Sequence, residues 1–128
     1  MYDDERAVLQ SLSREIAALD ERTRLALAQA LERGEARLEG GTWGSRYAGA
    51  GCLLSLAAWE LGLDGGEDLL TESIAAVRIP ALFDHLWALV LERVGAPREA
   101  RRIAHRLVAR ALSDPASSLL AEMPKQLA

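Results

Sequence analysis

Apolar residues recur at steps of three and four along most of the chain, the spacing of one helical face. Leu9, Leu12, Ile16 and Leu19 begin the series, and Thr23, Leu27 and Leu31 continue it. They predict an amphipathic helix from about Asp4 to Arg33, either unbroken or split in two near Asp20. Asp20 and Arg24 stand in the favoured acid-first order four residues apart. The run Gly40-Gly41-Thr42-Trp43-Gly44 stops the pattern, because each glycine costs a helix about 1 kcal/mol relative to alanine. That run is read as a loop.

From about Ser45 to Leu61 the apolar residues fill nearly every position, with Leu53, Leu54, Leu56, Ala57, Ala58 and Trp59 at the heart of the segment. A helix without a polar face belongs at the centre of a bundle. Gly62 and Gly65-Gly66 close it, and Asp64 with Glu67 has capping-box spacing for a third helix, about Glu67 to Arg78. The residue before a proline avoids the helical region, so Ile79-Pro80 predicts a break or kink, with Pro80 opening a fourth helix. That helix carries Leu82, Phe83, Leu86, Trp87, Val90 and Val94 inward and stops at Gly95. Pro97 opens a fifth, whose apolar face is Ala100, Ile103, Ala104, Leu107, Val108 and Ala111, and Asp114-Pro115 ends it. A short sixth helix is expected from Ala116, and Met123-Pro124-Lys125 is expected to fray. No alternating run of strand-forming residues appears. The expected architecture is all-α: one domain over residues 1–128, folded as a compact bundle of five to six helices around the apolar segment of about 45–61.

Composition narrows the class. A chain of 128 residues, 50% hydrophobic and 27% charged, suits one globular domain rather than a disordered tail. One cysteine excludes a disulfide scaffold. The longest uncharged run, Tyr47 to Trp59, has 13 residues, short of the roughly 18 to 20 of a membrane span. The acidic start Met1-Tyr2-Asp3-Asp4-Glu5 lacks the basic region of a secretory signal. A soluble cytoplasmic protein without a membrane partner is expected. Lys125 is the sole lysine and asparagine is absent; this composition is thermophile-like, and GC-rich codon usage produces the same bias.

Charge is the one distribution that stands out. Arg98, Arg102, Arg106 and Arg110 follow one another at four-residue steps, with Arg101 and His105 beside them. Like charges at that spacing repel by about 0.2 to 0.5 kcal/mol per pair, and arginines in a first turn oppose the helix dipole. Residues 92–112 hold six arginines and two glutamates, a net +4, so the rest of a chain totalling −4 carries −8. Three sources of compensation are open: carboxylates within the fold or a second subunit (Glu5, Glu15, Glu32, Glu35 or Glu39), an acidic protein partner, or phosphate. The negative total charge and the few aromatic residues near the row weigh against nucleic acid. A helix-turn-helix centred on Gly95 fits poorly, because Arg101 falls where that motif buries an aliphatic residue.

Candidate chemistry is sparse. Cys52 has no basic residue one helical turn away to activate it. His85 and His105 lack the paired spacing of a zinc site. Asp84 and His85 are sequence neighbours, which point about 100° apart on a helix. The glycine-rich Gly44–Gly51 stretch lacks the Gly-Lys-Ser/Thr ending of a phosphate loop. Trp43 and Arg46 either cap the bundle or anchor an interface. No catalytic, metal or cofactor site is expected. The residues expected to make contact are Arg98, Arg101, Arg102, His105, Arg106, Arg110, Trp43 and Arg46. The expected role is a non-enzymatic protein-interaction or regulatory module capable of self-association as a homodimer, and the alternative is a small nucleic-acid-associated protein using the arginine-rich helix 97–112 on phosphates.

Overall fold

A computed structural model of the chain describes residues 3–113, and the expectations for Asp114-Pro115, for a sixth helix from Ala116 and for Met123-Pro124-Lys125 lie outside them. The architecture is all-α: helices α1 (Asp3–Ala17), α2 (Glu21–Arg33), α3 (Leu53–Glu60), α4 (Ile74–Val94) and α5 (Pro97–Ser113), with a 3-10 turn at Gly66–Leu69. Two short strands, β1 (Arg37–Leu38) and β2 (Ala50–Gly51), pair in parallel with Arg37 opposite Ala50 and Leu38 opposite Gly51.

The first helical stretch divides at Asp20. The Asp20 carboxylate caps α2 by accepting from the Thr23 N–H at 3.0 Å. Arg24 does not pair with Asp20; its Nη1 donates to the carbonyls of Ala17 and Leu19 at 3.0 and 3.1 Å, serving carbonyls that the end of α1 leaves without donors.

The expected helix from Ser45 begins only at Leu53. Gly44 and Gly49 adopt left-handed backbone, φ 76° and 69°, which a right-handed helix cannot use. Backbone groups there pair elsewhere: Arg37 N–H donates to Gly49 O at 2.7 Å, and Glu39 N–H to Gly51 O at 2.9 Å. The shortened α3 keeps its expected surroundings, with every residue from Leu53 to Ala58 buried.

The expected third helix, Glu67 to Arg78, is also displaced. Residues 66–69 form a single 3-10 turn, where Gly65 N–H donates to the Asp68 carboxylate at 3.3 Å. Helix α4 starts at Ile74 because the Ser73 hydroxyl accepts from Ala76 N–H at 3.1 Å. Pro80 therefore lies inside α4 rather than at its start. An interior proline costs about 3 kcal/mol. The stripe that runs through it includes Ile79, Phe83, Leu86 and Val90, each fully buried, and each such side chain returns about 1.5–3 kcal/mol. Burial outweighs the break.

By length and composition α4 reaches the requirement for crossing a membrane, and here its stripe packs chiefly on α1 and on α5. Gly95, left-handed at φ 71°, ends it with an N–H to Leu91 O at 2.7 Å. Pro97 opens α5, and all six residues of its expected inner face are buried. Helix α2 packs on α3, and α5 touches α1, α2, α4 and β1. Arg98, Arg102, Arg106 and Arg110 are thus exposed on a helix whose apolar face is buried, while Arg101 is half-buried.

Candidate functional site

Sequence spacing puts the arginines of α5 in one column, and packing decides what each meets. Arg98, Arg102, Arg106 and Arg110 are exposed, while Arg101 and His105 are half-buried. Arg101 lies near the β1–β2 edge, its Nε 3.5 Å from Glu39 Oε1. That Nε is itself buried and has no hydrogen-bond acceptor, a situation that costs about 1–3 kcal/mol for a buried donor. Arg102 is tied within its own helix, with Nη2 donating to both Glu99 oxygens at 2.6 and 2.7 Å. The Glu99 hydrogen bond raises the Arg102 guanidinium further above its usual range. Arg98, Arg106 and Arg110 have no ion-pair partner among the described residues. Of the five carboxylates expected to offset the row, Glu39 alone reaches it. Glu5 and Glu15 pair instead with Arg93 and Arg78 of α4.

Between the start of α5 and the segment leading into β1 lies a recess of about 330 Å³. Arg98, Arg101, Arg102 and His105 line one side, and Gly34, Ala36, Arg37 and Leu38 the other. Four of the eight residues expected to make contact therefore meet in one concavity. Arg37 joins them without having been singled out. It follows a helix-ending glycine, Gly34 at φ 67°, and no local pattern indicates that β2 holds it beside α5. Across His105 an adjoining groove of about 430 Å³ runs between α2 and α5, and is mainly apolar through Leu25, Ala28, Leu31, Ala109 and Leu112.

Trp43 and Arg46 do not line this recess. The Trp43 ring sits against Gly66, where an added Cβ would lie 2.8 Å from its Cζ3. Arg46 Nη2 donates to Leu63 O at 2.9 Å and Trp59 O at 3.3 Å, closing the end of α3. Arg46 also lines a separate recess of about 280 Å³ with Arg33, Glu35, Trp59 and Glu60. Its charges are matched, two arginines against two glutamates, with Arg33 and Glu60 paired at 3.2 Å.

The remaining chemistry-bearing groups have structural employment. Cys52 is buried at the start of α3, and that burial pushes its thiol up to about 12. Asp84 is half-buried, and its Oδ1 accepts from Gly41 N–H at 2.8 Å, fastening the glycine loop to α4. His85 is exposed on α4, and among the described residues no three His, Cys, Asp or Glu side chains gather as a metal site. The arrangement suits anion recognition: four arginines border a concavity, and two of them, Arg37 and Arg98, have no ion-pair partner among the described residues. Comparison of this chain with known protein families, curated proteins and solved structures finds no match.

Proposed function

We propose that this chain is a non-enzymatic interaction module of the cytoplasm that docks an acidic protein segment on the arginine surface of α5. One observation carries the reading: Arg98, Arg106 and Arg110 stand exposed on one helix with no ion-pair partner among the described residues. The three like-charged steps of the row cost the free fold roughly 1 kcal/mol, and an acidic partner relieves that cost. Guanidinium forks take carboxylates in paired geometry. The chain outside residues 92–112 carries −8, so a second copy also offers acidic surface, and self-association is the homotypic form of the same contact. A single buried thiol needs no oxidising compartment, in keeping with the cytoplasm.

The test is a fluorescence-anisotropy titration of a labelled oligoglutamate peptide at low salt, with light scattering to read oligomeric state. The wild-type chain should bind, and more weakly as salt rises. Arg98→Glu with Arg106→Glu should lose at least about tenfold in affinity, equivalent to 1.4 kcal/mol, at unchanged helical content by circular dichroism. Absence of binding, or equal binding by the variant, removes the proposal. Labelled single-stranded and duplex DNA run in parallel; tighter, salt-sensitive binding to either than to the peptide assigns the arginines to phosphates instead.

A further inference from the structure

We propose that the recess at the start of α5 is a binding site for a phosphoryl group, carried on a small molecule or free as the phosphate ion. This deepens, and rests on, the reading of α5 as an anion-facing surface. Four arginines line the recess: Arg37 from β1, and Arg98, Arg101 and Arg102 from α5. Two carboxylates are paired with them, Glu39 with Arg101 at 3.5 Å and Glu99 with Arg102 at 2.6 Å. Two positive charges are left over. One carboxylate from a ligand returns a single negative charge, whereas a phosphoryl group carries about −1.5 to −2 at neutral pH. Its three oxygens also engage more than one guanidinium fork, where a carboxylate fills one. The charge balance and the number of acceptor oxygens both favour the phosphoryl group.

Two further observations support a built site. Arg37 and Arg98 have no ion-pair partner among the described residues, and they come from different segments of the chain. The recess, at about 330 Å³, falls within the roughly 300–1,000 Å³ of small-molecule pockets, which leaves space beside Ala36 and Leu38 for a small organic remainder. The charge-matched recess at Trp59 has no comparable excess. Because Arg98 belongs both to the recess and to the docking surface, the small anion competes with the protein partner there and regulates docking.

Isothermal titration calorimetry in phosphate-free, low-salt buffer tests this with inorganic phosphate, glycerol 2-phosphate and succinate, the last a dianion built from two carboxylates. Phosphate should bind, and succinate should bind at least about tenfold more weakly. Binding of glycerol 2-phosphate as well places the group on a small molecule, and binding of inorganic phosphate alone makes the free ion the ligand. Arg37→Gln and Arg98→Gln, both at exposed positions, should each weaken phosphate by about tenfold. Arg106→Gln, on the same helix but outside the recess, should leave it unchanged. Excess phosphate should release bound oligoglutamate from the wild-type chain. No heat from either phosphate, succinate equal to phosphate, or an equal loss in Arg106→Gln overturns the site. Oligoglutamate binding retained in those cases leaves the interaction reading standing, while loss of both removes both.

Discussion

Glu5 is the one charged side chain fully buried among the described residues, at 2% exposure. It receives Arg93 Nε at 2.6 Å and Nη2 at 3.0 Å, joining the start of α1 to the end of α4. Removing one member of a buried pair costs about 3–5 kcal/mol, because the other charge stays behind without compensation. Arg93 is 30% exposed, so water softens the loss. Arg93→Met should lower the unfolding free energy by about 3 kcal/mol in urea titration, and Glu5→Met added to it should restore part of that. A single variant within about 0.5 kcal/mol of wild type would mean that the Glu5 carboxylate is hydrated in solution. Cys52 gives a second residue-level expectation. Burial keeps its thiol protonated at neutral pH, and the thiolate is the reactive form. The native protein should resist a thiol-specific disulfide reagent and react once unfolded in urea. Fast native-state reaction at the global unfolding-independent limit would contradict that packing.

At the scale of the element, the Asp20 cap links sequence to pH behaviour. Partial burial works to raise the Asp20 carboxyl, but hydrogen bonds from the Thr23 side chain and backbone, with Arg22 nearby, hold it below its ordinary value. A carboxyl depressed in the folded state adds stability above its unfolded value of about 3.9 and loses it as pH falls through the folded value. Asp20→Ala should cost about 1 kcal/mol at neutral pH, and its difference from wild type should shrink towards zero in strong acid. A difference that persists in acid would exclude the ionised cap as its source. Helix faces are where sequence is most legible: the six inward residues of α5 follow from three-and-four spacing alone, since local periodicity and burial agree. Local signals mislead where a distant partner decides. Ser45 to Cys52 reads as apolar helix until Gly44 and Gly49 turn left-handed and the backbone pairs with β1. Ile79-Pro80 reads as a break, but the Ser73 cap starts α4 before it and buried side chains carry the helix through. The arginine column was visible from spacing, whereas Arg37 enters the recess through a two-residue strand pairing that no periodicity announces.

Across the whole molecule, charge separation and fold stability pull in opposite directions. The segment 92–112 carries +4 within a chain of −4, yet among the described residues only Glu39 and Glu99 pair with the row. Arg106 lies one helical turn from both Arg102 and Arg110, and all three are exposed. Folding alone gains nothing from a cation at that position. Arg106→Glu replaces two repulsions by two attractions at four-residue spacing, each step worth about 0.2 to 0.5 kcal/mol. The free protein should therefore become more stable by roughly 1 kcal/mol, raising its melting temperature by about 3–6 °C for a chain of this size. The same change should weaken oligoglutamate binding, because it places a carboxylate on the surface proposed to receive one. Thermal unfolding by circular dichroism and the anisotropy titration measure the two effects on one sample. A variant both more stable and weaker in binding shows that the arginine is kept at the expense of folding energy, as binding surfaces are. A variant that is more stable and binds equally well would show that the column of α5 is no docking surface.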